Sequence, residues 1–116
     1  MKVLFHIDQP ERWQMALGNA ENLLAYGRQT GAALSVELVA NGPAVASLRF
    51  EDAERLELLD RLTRLASQEV RVCACNNALR ANGIPPQALC PFVTVVPAGV
   101  AELAQRQQEG WAYIKP

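Results

Sequence analysis

Short apolar runs alternate with longer amphipathic stretches along the whole chain. The first run, residues 2–7, closes at Asp8-Gln9-Pro10, which is typical of a strand buried in a parallel sheet. Runs of the same kind predict further strands at residues 34–40, 70–74, 93–96 and 111–114. Five strands are therefore expected, each short and mostly apolar.

Between these runs, apolar residues recur at helical spacing. A first helix is expected after Pro10 and ends at Gly27 or Gly31. The clearest stripe predicts one helix over residues 53–67, with charge pairs such as Glu57 with Arg61 on its solvated face. Shorter helices are expected at residues 43–48, 76–82 and 98–108, and an irregular loop carries Cys90. This alternation predicts an α/β fold, with helices on both faces of a mostly parallel sheet and one domain over residues 1–116.

Composition narrows the classes of function. The 116 residues are 50% hydrophobic and carry a net charge of −1, so there is no basic field for nucleic acid. No apolar run approaches the roughly 18 residues of a membrane span, and the first run is too short for a signal peptide. Three cysteines make a poor disulfide framework, and we expect a reducing, cytoplasmic location.

The polar residues with chemical potential follow the predicted strands. Ligands of open parallel sheets bind beyond the carboxyl ends of the strands. The residues expected there, which form the predicted pocket, are His6, Asn41, Cys75, Asn76, Asn77 and Gly99.

Cys75 is the strongest candidate among them for a reacting group. It lies where a strand ends and a helix begins, so unpaired N–H groups and the helix dipole favour a thiolate. Such a position can lower a cysteine pKa from ~8.5 into the neutral range. The alternative is that Cys75 is a small buried hydrophobe, as most free cysteines are.

The other two cysteines have weaker cases. Cys73 lies inside the strand on the same face as Cys75, and we expect it to pack rather than to react, because a disulfide between the two would be strained. Cys90 could act as a second thiol only if its loop folds over Cys75. A metal site from His6, Cys73 and Cys75 lacks the usual zinc spacing, so no metal is predicted. No phosphate-binding glycine loop or nucleophile elbow is present.

Several segments together resemble the DsrE/DsrF-like superfamily, and the chain is most similar to its short, stand-alone members. The resemblance spans nearly the whole sequence and is most specific at Cys-Asn-Asn-Ala-Leu and at Gly-Trp-Ala-Tyr. The segments that carry it are residues 3–8, 39–45, 73–79, 96–103 and 107–116.

The resemblance implies a three-layer α/β/α fold with a five-stranded sheet, and assembly into trimers or hexamers. In the sulfur-relay members a cysteine after the third strand carries sulfur as a persulfide, and Cys75 is the matching position. Such a relay needs donor and acceptor proteins but no metal or organic cofactor. Two functions follow as hypotheses: a sulfur carrier acting through Cys75, or a non-catalytic oligomeric module whose strand-end pocket binds a small ligand or partner while Cys75 is structural.

Overall fold

The computed structural model describes residues 1–116 and contains five strands and five α-helices. In chain order, 3-10 turns excluded, the elements are β1 (Lys2–Ile7), α1 (Trp13–Thr30), β2 (Ser35–Ala40), α2 (Phe50–Arg55), α3 (Leu59–Ser67), β3 (Arg71–Cys75), α4 (Asn76–Ala81), β4 (Val93–Val96), α5 (Gly99–Gln108) and β5 (Ala112–Ile114). Short 3-10 helices span Pro10–Arg12, Gly42–Leu48 and Pro86–Ala88. The predicted alternation of strands and helices is confirmed.

All five strands are parallel and lie in the order β4-β3-β2-β1-β5. From β1 to β4 the sheet grows in one direction, so right-handed crossovers place α1, α3 and α4 on one face. The connection from β4 to β5 runs back across the sheet and places α5 on the opposite face. Helices therefore cover both faces, as predicted.

The two faces of the sheet are packed very unequally. The first face carries a core of 26 buried residues, built from alternate strand positions such as Phe5, Leu38 and Val72, together with Trp13 and Leu62 from the helices. The second face has a small buried apolar cluster, consisting of Leu4, Val39, Cys73, Val96 and Leu103. Because α5 alone covers that face, part of it stays polar and accessible.

The prediction of one helix over residues 53–67 is wrong, because the chain forms α2 and α3 there. Glu57 adopts a left-handed conformation (φ 60°) between them. The N–H of Leu58 bonds to the carbonyl of Ala53, and that of Glu57 to the carbonyl of Glu54. This is a Schellman ending, and it turns Leu58 into the core.

The same motif ends α3, α4 and α5, with Glu69, Gly83 and Gly110 at the left-handed position. Glycine marks two of these endings in the sequence, whereas glutamate gives no such signal at Glu57 and Glu69.

The charge pairs predicted on α3, Glu57 with Arg61 and Asp60 with Arg64, are not formed. Arg61 does not pair with Glu57; its Nη2 lies 2.8 Å from Oε1 of Glu21 on α1, and its Nη1 bonds to Gln14. This ion pair joins two neighbouring helices.

No helix is long and apolar enough to cross a membrane.

Candidate functional site

The carboxyl ends of β1, β2 and β3 and the start of α5 meet at one edge of the molecule. They bring four of the six predicted pocket residues together, namely His6, Asn41, Cys75 and Gly99. Asn76 and Asn77 form the first turn of α4, directly after Cys75; Asn76 is half-buried and Asn77 is exposed.

Cys75 is the last residue of β3 and directly precedes α4, one residue later than the predicted strand end. It is 7% exposed and lies against the first residue of α5. A Cβ placed on Gly99 would be 3.1 Å from the Cβ of Cys75, 3.7 Å from its Sγ and 3.1 Å from the Cβ of Asn41. Glycine at position 99 therefore lets α5 approach both side chains closely.

A chain of hydrogen bonds joins His6 to two distant residues. Its Nε2 lies 2.9 Å from Oδ1 of Asn41, and its Nδ1 lies 2.6 Å from the hydroxyl oxygen of Tyr113 on β5. Tyr113 was not among the site residues predicted from the sequence. The residue reaches His6 because β5 pairs with β1 and sets Tyr113 opposite Leu4. The chain order of the strands contains no signal for that pairing.

The surface around Cys75 is shallow in the single chain. None of its four clefts is lined by Cys75, His6 or Asn41. A ligand here would lie on a surface, unless a second protein chain completes a pocket.

Cys73 lies in different surroundings, beneath α5, where its thiol is fully buried beside Glu37. Its Sγ lies 3.7 Å from Oε1 of Glu37, a long and weak contact. Burial and the Glu37 carboxylate raise the pKa of Cys73 to about 12. A thiol held this firmly in its protonated form is a poor nucleophile.

Two carboxylates and two guanidinium groups surround Cys73. Nε of Arg106 lies 3.0 Å from Glu37 Oε2 and 3.0 Å from Glu102 Oε2, and Arg71 Nη1 lies 3.9 Å and 3.8 Å from the same two atoms. Burial and the neighbouring Glu102 raise the pKa of Glu37 to about 7. The pKa of Glu102 is lowered, first by its hydrogen bond with Glu37.

One thiol and two carboxylates of this group lie close enough to ligate a metal, with donor atoms within 4.8 Å of one another. The two arginines already supply the positive charge and bond to the carboxylates. The arrangement therefore fits a buried ion network, and we assign no metal to it.

Cys90 is buried on the first face of the sheet, within the large core. Its N–H bonds to the carbonyl of Leu48, and burial raises the pKa of its thiol. Nothing in this environment activates it.

Comparison with known proteins finds one matching family, and the similar solved structures include the MTH1491 and ychN proteins. The model of the DsrE/DsrF-like family matches residues 1–116. The protein of unknown function MTH1491 from Methanobacterium thermoautotrophicum is 38% identical, with a TM-score of 0.87 over 99% of this chain and 98% of that one. The ychN protein from E. coli is 19% identical, with a TM-score of 0.66 over 100% and 99% of the two chains, and supports the fold alone. No protein of curated function matches the sequence.

Proposed function

The chain belongs to the DsrE/DsrF-like family, and from that premise we propose that it is a sulfur carrier in which Cys75 bears a persulfide. The observation that carries the proposal is the place of the Cys75 sulfur. It lies at the carboxyl edge of the sheet, against Gly99 at the start of α5 and beside the polar side chain of Asn41. Anions are favoured near such a helix start, because its first N–H groups lack partners within the helix.

The proposed reaction is a thiol exchange that needs no oxidant. The Cys75 thiolate attacks the outer sulfur of a donor persulfide, and a new S–S bond forms on Cys75. The S–S bond of the donor breaks, and the donor leaves as a thiolate. In the second half, an acceptor thiolate attacks the outer sulfur and Cys75 leaves as the thiolate that began the cycle.

The other two cysteines are less suited to this exchange. The pKa of Cys73 is raised to about 12 beneath α5, and burial raises that of Cys90 in the main core. A thiol with a raised pKa stays protonated at ambient pH and attacks poorly, so Cys73 and Cys90 are unsuited to the exchange.

We also propose that the chain works as a homo-oligomer, a trimer or hexamer, with separate donor and acceptor proteins. Exposed apolar side chains lie near the Cys75 edge: Val100 on α5 is 70% exposed and Tyr113 on β5 is 40% exposed. A neighbouring subunit against these residues would deepen the shallow surface around Cys75.

A second candidate is a non-catalytic oligomeric module that binds a small ligand or a partner at this edge. The burial of Cys75, which is only 7% exposed, favours it, because a small apolar side chain packed against Gly99 would look the same.

Sulfur loading separates the two. Reduced protein is incubated with a low-molecular-weight persulfide, the donor is removed, and the intact mass is measured for the wild type, Cys75→Ala, Cys73→Ala and Cys90→Ala. The carrier predicts one added sulfur atom in every protein except Cys75→Ala. An adduct that survives in Cys75→Ala, or no adduct in the wild type, contradicts the proposal and favours the module.

A further inference from the structure

The hydrogen-bonded chain Tyr113–His6–Asn41 takes no part in the two thiol-exchange steps proposed for Cys75. It joins residues from β5, β1 and the end of β2, and it ends beside Cys75. Its members lie up to 107 positions apart in the sequence. Three polar side chains are thus arranged in series at the candidate site.

The hydrogen bonds of this chain run in one direction. The amide oxygen Oδ1 of Asn41 can only accept, so Nε2 of His6 must carry the proton and donate it. In the neutral ring Nδ1 is then an acceptor, and the Tyr113 hydroxyl donates to it. The Tyr113 hydroxyl, which can donate or accept, fits this tautomer and holds the His6 ring in the orientation that keeps Oδ1 of Asn41 facing it.

This orientation turns the amide nitrogen of Asn41 away from His6. Its two N–H groups have no acceptor within the chain, since the only side-chain bond of Asn41 is the one to His6. The Cβ atoms of Asn41 and Cys75 both lie 3.1 Å from the position of a Cβ on Gly99. The two Cβ atoms are therefore no farther apart than the sum of those two distances, so the side chain of Asn41 and a group attached to the Cys75 sulfur share one small region of the site.

We propose that Asn41 binds the outer sulfur anion of a persulfide on Cys75 through its amide N–H, and that His6 and Tyr113 are positioning residues for that amide. The inference rests on the proposed carrier function. A neutral amide donor stabilises an anion without giving it a proton, so the outer sulfur stays nucleophilic and transferable. A cationic or acidic donor at this place could protonate the anion instead.

The test compares four variants, two at the chain and two matched controls on α1. Asn41→Asp keeps the shape of the side chain but removes its N–H groups, and Tyr113→Phe removes only the hydroxyl. Asn22→Asp and Tyr26→Phe make the same chemical changes at exposed positions of α1.

The first readout is the amount of sulfur on Cys75 at limiting donor concentration, from intact mass. Loss of a hydrogen bond to a charged group predicts loading weaker by about tenfold or more in Asn41→Asp. Tyr113→Phe is expected to weaken loading about threefold, because it frees the orientation of the amide without removing it. Both control variants should load as the wild type does.

The second readout is the protonation of the His6 ring by ¹⁵N NMR at neutral pH, which needs no sulfur. The wild type should show the proton on Nε2, and Tyr113→Phe should shift the Nδ1 signal, because Nδ1 loses its hydrogen-bond partner and the ring becomes less fixed. A wild-type proton on Nδ1 would overturn the assigned direction and with it the role of Asn41.

The outcomes separate the two proposals. If the wild type and Asn41→Asp load sulfur equally on Cys75, the carrier function stands and the role of Asn41 is wrong. If the wild type takes up no sulfur, the carrier function fails and the binding role of Asn41 fails with it, while the tautomer measurement still decides whether His6 and Tyr113 orient the amide.

Discussion

Cys75 and Cys73 stand two residues apart on β3 and are both buried, Cys75 as part of the 26-residue core and Cys73 in the small second-face cluster. Cys75 lies at the carboxyl edge of the sheet, against Gly99, which also lies close to the Cβ of Asn41. Cys73 lies beneath α5, fully buried beside Glu37 within a network of carboxylates and guanidinium groups. Two cysteines of one strand therefore have different surroundings, and the packed neighbours, not the strand or the residue type, set the chemistry of each thiol.

The largest expected contrast is in thiol reactivity. A pKa near 12 in place of the ordinary 9.0 leaves Cys73 with about a thousandth of the thiolate of an ordinary cysteine. Under native conditions we expect iodoacetamide to modify Cys73→Ala at nearly the wild-type rate and Cys75→Ala much more slowly, because both thiols left in Cys75→Ala, Cys73 and Cys90, are buried and have raised pKa values. Mass spectrometry over time measures both, and equal rates in denaturant serve as the control. Rapid native labelling of Cys75→Ala would remove the distinction between the two thiols.

The second test breaks the ion network around Cys73. Arg106→Met keeps an apolar stem but leaves Glu37 and Glu102 with only the more distant Arg71. Uncompensated buried carboxylates predict a loss of about 3 kcal/mol in the free energy of unfolding, measured in urea.

The control for that loss is Arg55→Met, because the pair of Arg55 with Asp52 lies at the surface and should cost less than about 1 kcal/mol. Adding Glu37→Gln to Arg106→Met should recover part of the loss. No recovery would mean that Arg106 acts through packing, including its position 5.1 Å from the Trp111 ring.

The third test uses pH. The pKa of Glu37 is about 7 in the folded chain and near 4.5 in the unfolded chain. Between pH 4.5 and pH 7 the Glu37 carboxyl is therefore protonated in the folded state and ionised in the unfolded state. Its contribution to stability is therefore complete below pH 4.5 and is lost as pH rises through 7, by about 1–3 kcal/mol.

The comparison variant for the pH dependence is Glu37→Gln, in which this contribution is absent. Subtracting its free energy of unfolding from that of the wild type at each pH isolates the contribution of Glu37. The pKa of Glu102 is lowered, so its own contribution changes below pH 4.5 and does not enter this window. A constant difference between pH 5 and 8 would contradict the assignment.

The smallest effect concerns Gly99 at the Cys75 edge. Gly99→Ala places a Cβ 3.1 Å from those of Asn41 and Cys75, and should cost about 1 kcal/mol and slow Cys75 alkylation a few-fold. Gly18→Ala on α1 meets only Arg61 Nη2 at 4.0 Å, and should instead stabilise the fold by up to about 1 kcal/mol. Equal behaviour of the two variants would show that α5 can move away from Cys75.

Most of the fold could be predicted because apolar periodicity is a local property. The five strands, the long α1 and the helix at α5 all follow from it, within a residue or two of the observed bounds at most ends. The break at Glu57 could not, because a glutamate in a left-handed helix ending is selected by the burial of Leu58 and not by its own preference.

The candidate site was accessible from the sequence in part. The rule that ligands gather beyond parallel strand ends placed His6, Asn41, Cys75 and Gly99 at one edge, where the structure brings them together. Their roles in binding or transfer stay predictions. Tyr113 was missed because its contact with His6 depends on which edge of the sheet β5 joins.

The elements, the parallel sheet and the set of polar residues at the strand ends follow from the amino-acid order alone, because each depends on neighbours within a few positions. The tertiary structure, in contrast, sets which of these residues touch. It set Tyr113 beside His6 and Arg106 beside Glu37, 107 and 69 positions apart, and it placed α5 over Cys73 while leaving Cys75 at the edge. These contacts arise from strand order and from the crossover that carries α5 to the second face, and no local pattern encodes either.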